Sequence, residues 1–223
     1  MRRLLKCIAL MCASVLTAVV MTSCEHRLSS SSVAQEITTE SINSADLDKS
    51  QSFVIALYPE YAPITCQNFE SLVKSGYYDG LYFHRVYKGF MAQGGAGSTA
   101  GRSCDPIKGE FEKNGVKNDL SHARGVVSMA RQAADMDSAT SQFFIVYDDS
   151  AKKSLDGLYA AFGKVIEGME VVDSFLNIEM AQSSDRIPTS PTEPIQILKA
   201  EIDGQDSEGH TLCRFYMQVG YKE

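Results

Sequence analysis

From Gln51 to Ile202 the apolar residues come in short bursts separated by glycine or polar clusters, and this pattern limits the fold more than any other feature. QSFVIALY, LYFHRV, FMAQ, GVVSMA, QFFIVY, AAFGKV and PIQILKAEI run four to nine residues and are rich in β-branched and aromatic side chains. Runs of that length suit strands and are too short for core helices. In the first, Phe53, Ile55 and Leu57 alternate with Val54 and Ala56, so both faces are apolar and the strand is expected to be buried. Two segments depart from the pattern. APITCQNFESLVKSG puts Ile64, Phe69, Leu72 and Val73 at helical spacing, with Pro63 early and Gly76 as the stop. GMEVVDSFLN puts Met169, Val172, Phe175 and Leu176 on one side of a second helix. Many short strands with two helices predict a mainly β fold, a closed or nearly closed barrel whose open ends the helices cover. The domain is expected over residues 51–202, without internal repeats.

The N-terminus reads as an address. MRRLLK is basic, and CIALMCASVLTAVV, residues 7–20, is an uncharged run too short to span a bilayer comfortably. It ends at MTSC. Small residues before Cys24 resemble the lipobox of bacterial lipoproteins, in which the cysteine is lipidated and becomes the N-terminus; Met21 is unusual there, and a plain signal peptide is the alternative. The expected layout is a signal peptide over 1–23, a lipidated Cys24 and a disordered Ser-rich tether over 24–50, with a reach of about 25–30 Å. That layout places the protein in the cell envelope, on the periplasmic side of a bacterial membrane.

The net charge is −7. Without Arg2, Arg3 and Lys6, 18 Lys+Arg face 28 Asp+Glu. So acidic a surface argues against a nucleic-acid partner. Cys66, Cys104 and Cys213 lie within and beyond the domain; they are odd in number and without zinc spacing, so buried or free thiols are expected, and one disulfide remains open. GAGSTA at 95–100 fits a loose glycine motif, but Gly101, Asp105 and Pro106 follow where a phosphate-binding helix would have to start. His84, His122 and His210 have no metal-ligand spacing, and no metal or cofactor is expected. His84 reads as a packed histidine. Ser121 beside His122 is no triad signature, because triad members meet in space.

YFHRVYKGFMAQGG, residues 82–95, mixes apolar bulk with single polar heads and resembles the cyclophilin signature of the peptidyl-prolyl isomerases. The likeness continues in order through APITCQNFESL, GEF at 109–111, GVVSMA, SQFFIV at 141–146 and LDGLYAAFGKVIEGMEVVD at 155–173. It implies an eight-stranded antiparallel barrel capped by two helices, a monomeric enzyme without cofactor, and Pro-containing polypeptide segments as partners. Rotation about X–Pro meets a barrier of about 18–20 kcal/mol and needs neither nucleophile nor metal, only preferential binding of the twisted amide. The resemblance makes Arg85 the donor to the pyramidal proline nitrogen and Gln93 its brace. Phe90, Met91, Phe144 and Leu155 would line the proline pocket. Ala130, Arg131, Gln142 and Tyr159 would make the neighbouring contacts.

Ser154 stands where the common family form has Trp, Tyr159 replaces a His and Arg131 an Asn, which alters the rim and puts cyclosporin affinity in doubt. Residues 203–223 run past the usual family end and are expected to add an edge strand or dock a partner. The function these features imply is an isomerase acting on envelope proteins. The alternative is a low-turnover module or chaperone that holds Pro-containing segments.

Overall fold

The computed structural model describes residues 43–184 and 186–221; the signal segment, Cys24 and most of the tether lie outside them. The tether's described end, 43–50, contributes to two single-turn 3-10 helices, Ser44–Asp46 and Lys49–Gln51, capped by Asn43 and Asp48.

Ten strands and three α-helices follow: β1 Ser52–Leu57, α1 Pro63–Lys74, β2 Phe83–Tyr87, β3 Met91–Gly94, β4 Val126–Met129, β5 Phe143–Val146, α2 Lys152–Leu155, β6 Ala161–Glu167, α3 Met169–Ser174, β7 Met180–Gln182, β8 Pro188–Pro191, β9 Ile195–Gln205 and β10 Thr211–Val219. Every short run read as a strand is one. Of the two expected helices, the second is brief, passing into a 3-10 turn at Phe175, and the single turn α2 was not foreseen.

Eight strands form one antiparallel sheet in the order β2-β3-β5-β4-β6-β1-β10-β9, and β7 pairs with β8 separately. The strand number is as expected, but the sheet is an open half-barrel and not a closed barrel. Its outer strands meet in one isolated bridge, Tyr82 to Gln196. The reason is local: β9 begins directly after Pro194, which has no N–H to continue a ladder, and β2 begins directly after Tyr82. The expected edge strand in 203–223 is also corrected. β10 is interior, hydrogen-bonded to β1 on one side and to β9 on the other.

The concave side holds the main core. Phe53, Phe69, Tyr78, Phe143 and Phe215 form a connected set of ring contacts, with centroids 5.2–5.9 Å apart where Phe69, Tyr78, Phe143 and Phe215 meet. Helix α1 has no side-chain cap of its own. Glu110 caps it from a distant loop, accepting from the backbone N–H groups of Ile64 (3.0 Å) and Thr65 (2.7 Å) and from the Thr65 hydroxyl. Cys66 and Cys213 are buried free thiols whose pKa burial pushes up to about 12, so both stay protonated.

Candidate active site

A second, smaller apolar cluster lies on the outer face of β3 and β5: Met91, Phe144 and Val146, with Ala151 and Leu155 from the α2 segment. Tyr87, Phe90, Ala130 and Tyr159 pack around it. Alternation explains how both faces of the same strands are filled. Ala92, Phe143 and Ile145 point into the main core, and Met91, Phe144 and Val146 point away.

Arg85 reaches this outer face through a bulge. Phe83 pairs with Gly94 and Arg85 with Gln93, so two steps on β2 match one on β3, with His84 as the extra residue. In a regular strand Arg85 would follow Phe83 into the core; the bulge turns it outward, next to Gln93. The strand's end is set by glycine. Gly95 has φ +78°, and a Cβ there would lie 2.9 Å from the Tyr78 ring. His84 keeps an exposed edge, yet its ring is desolvated enough to lower its pKa and bonds to the Tyr82 backbone, so the expected packing is met in part.

Arg85, Phe90, Met91, Gln93, Ala130, Arg131, Phe144, Leu155 and Tyr159 line one cavity of about 220 Å³. Of the ten residues read from sequence as catalytic or substrate-binding, only Gln142, half-buried, is not part of this lining. Its Oε1 accepts from Gln93 Nε2 at 2.9 Å, so Gln142 orients Gln93. Arg85 Nη1 approaches the Met91 sulfur at 3.9 Å. Gln93's amide nitrogen is engaged with Gln142, and its carbonyl oxygen is the atom suited to brace a guanidinium. Tyr159 meets Phe144 edge to face at 5.8 Å. Among the described residues no group of His, Cys, Asp and Glu could hold a metal ion, and no helix is long and apolar enough to cross a membrane.

Residues 42–202 match the family described as cyclophilin type peptidyl-prolyl cis-trans isomerase/CLD. The chain belongs to the cyclophilin-type peptidyl-prolyl cis-trans isomerases. A peptidyl-prolyl cis-trans isomerase of Acinetobacter baylyi is 41% identical to this cyclophilin over 154 residues, 66% of this chain and 78% of the relative. Peptidyl-prolyl cis-trans isomerase A of Dickeya dadantii is 36% identical over 196 residues, 85% and 95% of the two chains. Among solved structures, a Cryptosporidium parvum cyclophilin-type isomerase superposes with a TM-score of 0.56 at 28% identity, covering 67% of this chain and 94% of that one.

Sequence reasoning missed what lies under the groove of this cyclophilin. His122 is buried, with Nδ1 2.8 Å from Asp156 Oδ1 and Nε2 3.0 Å from the hydroxyl of Ser128 on β4. Asp156 also accepts from the Ser121 hydroxyl (2.7 Å) and the His122 N–H (2.8 Å). The His122 ring stacks beside Phe144 at 6.1 Å. The order Asp, His, Ser imitates a hydrolytic triad, but Ser128 is fully buried and cannot reach a substrate. Burial lowers the His122 pKa, and Asp156 only partly offsets it. A neutral ring donating to Asp156 and accepting from Ser128 satisfies all three groups. The network fastens the 156–159 turn, and with it Tyr159, to the strand beneath Phe144. Its members are 28 to 35 residues from Asp156 in sequence, so no local spacing signals it.

Proposed function

We propose that this protein accelerates X–Pro rotation in proteins of the bacterial envelope, held to the membrane through Cys24, and that Arg85 supplies the decisive donor. The observation that carries the mechanism is the placement of Arg85 by a bulge at a cavity whose apolar part is formed by Phe90, Met91, Phe144 and Leu155. The proline ring fits the apolar part, walled by Phe90 and Leu155. As the amide twists, conjugation is lost and the ring nitrogen gains a lone pair. A guanidinium N–H directed there stabilises the twisted state more than either planar isomer, which is what lowers the barrier. Gln93, oriented by Gln142, keeps that donor in place. The location rests on the basic, apolar and MTSC segments of the sequence.

The mechanism is tested with a proline-limited refolding assay. Arg85→Ala is expected to lose about a hundred- to a thousandfold in kcat/KM, the scale of one preorganised donor, with an unchanged thermal unfolding curve. Unchanged kcat/KM would sink the mechanism. Peptide binding with negligible turnover in the wild type would favour the holding module instead. The anchor is tested separately, by fatty-acid labelling and the mass of the mature N-terminus. Cys24→Ala should abolish the label, and an unlabelled wild type would leave an ordinary secreted isomerase.

A further inference from the structure

Arg131 is tightly held, yet among the described residues it forms no ion pair. Its guanidinium stacks over Phe111 at 5.1 Å and over Tyr159 at 4.8 Å. Nε and Nη2 donate to the Leu158 carbonyl at 3.2 and 3.0 Å, and Nη1 donates to those of Gln132 (2.9 Å) and Ala133 (3.3 Å). All of these partners are neutral. By contrast, Arg124 pairs with Asp173, and Arg214 with Glu167 and Asp203. Four of the five guanidinium N–H groups are occupied by these bonds, so one on Nη2 is left for a ligand.

The surroundings make the charge count. Arg131 and Arg85 line the same cavity, and no aspartate or glutamate does. The chain as a whole is acidic, at −7, so the cavity is a spot of opposite sign on it. The two aromatic rings and the carbonyl bonds hold the cation away from bulk water, where screening would be complete. Rotation of an X–Pro bond needs one donor at the proline nitrogen. It does not call for a second fixed cation beside the pocket.

We infer that Arg131 determines specificity, favouring segments that carry an acidic side chain next to the proline. The inference rests on the cavity being the proline site. A carboxylate in the neighbouring subsite reaches the remaining Nη2 N–H and the charge of Arg131, whereas a lysine there meets repulsion.

The test is binding of three peptides that differ only in the residue beside proline, Glu, Ala or Lys, placed before the proline in one set and after it in another. Affinity and cis/trans exchange are both measured by NMR on the whole protein. In at least one set the Glu peptide should bind about three- to tenfold more tightly than Ala, and Lys more weakly, with the spread shrinking as salt is raised. Arg131→Gln should erase the preference for Glu over Ala, and Arg131→Lys should keep part of it. Equal affinities in both sets, or an unchanged preference in Arg131→Gln, would overturn the inference. Because exchange is read on the same samples, a Glu preference without exchange would defeat the isomerase reading alone. Exchange without preference would defeat this inference alone. Should Arg131→Gln fail to fold, the salt response of the wild type and the Arg131→Lys variant still decide the matter.

Discussion

The outer face of the sheet is finished in two different ways. On β3 and β5 it presents apolar side chains, Met91 and Phe144, beside Arg131, whose guanidinium bonds only to backbone carbonyls. On β10 it presents Arg214, which is 8% exposed and surrounded by acceptors: Asp203 at 2.7 Å, the Ser52 hydroxyl at 2.8 Å and Glu167 at 3.0 and 3.3 Å. Tyr216 on the same face donates to Glu201 at 3.0 Å. The first surface is apolar, and its Arg131 is bonded only to neutral partners, so it has free energy to gain from a ligand. In the second every polar group is already satisfied, and its role is to join β1, β6, β9 and β10. An arginine says little by itself; what its guanidinium has been given as partners distinguishes a site from a joint.

Substitutions on opposite faces should separate these roles. The largest stability effect is expected at Phe215, fully buried on the inner face of β10 among four other rings. Phe215→Ala should cost about 3–5 kcal/mol by urea unfolding, while peptide affinity of the remaining folded protein stays as it was. Phe144→Ala reverses the pattern. It should cost about 2 kcal/mol in transition-state binding, near thirtyfold in kcat/KM, with a smaller loss of stability because the outer cluster is small. If both variants lose activity only in proportion to stability, the distinction between the faces fails.

The smallest effects concern pH, and they have opposite signs. His122 under the groove has a lowered pKa, mainly from burial, so the unfolded chain binds its proton more readily. Its contribution is complete above about pH 6.5 and fades as pH falls below that value. His210, in the turn between β9 and β10, is set against Asp206 (3.0 Å), Glu60 (3.4 Å) and Glu208 (3.7 Å). Burial opposes its charge, but the carboxylates outweigh it and raise the pKa. Its contribution is complete below about pH 6.5 and is lost as pH rises through the raised value. Amide exchange should therefore quicken around Ser128 and Phe144 on mild acidification and slow around 206–212. His210→Gln should abolish only the second response, and parallel pH trends in both regions would contradict the assignment.

The sequence made the groove unusually legible. Phe90, Met91, Gln93 and Phe144 sit in runs whose order is specific, and the cavity collects them as expected. What stayed hidden arises between distant segments. The bulge at His84 depends on how β2 registers with β3, which the alternation within LYFHRV does not encode. LCRFYMQV reads as a strand, but nothing in it tells that it lies between β1 and β9 rather than outside them. Glu110 looks like an ordinary loop carboxylate until its contact with the start of α1 is seen. Closure of the barrel is what short strands, two helices and the resemblance imply, but the pairing of the outer strands decides it, and they meet in one bridge.

The place of β10 also bears on when the domain can form. β10 leaves the ribosome after every other strand, yet it completes the ladder of β1, which leaves before all of them; Arg214 and Ser52, bonded across the pair, are 162 residues apart in sequence. Until β10 arrives, β1 lacks its neighbour on that side, β9 has no ladder at all, and the core lacks Phe215. Contacts this remote form slowly and late. Translation therefore imposes a timetable: the sheet cannot lock until β10 slides into the gap between β1 and β9.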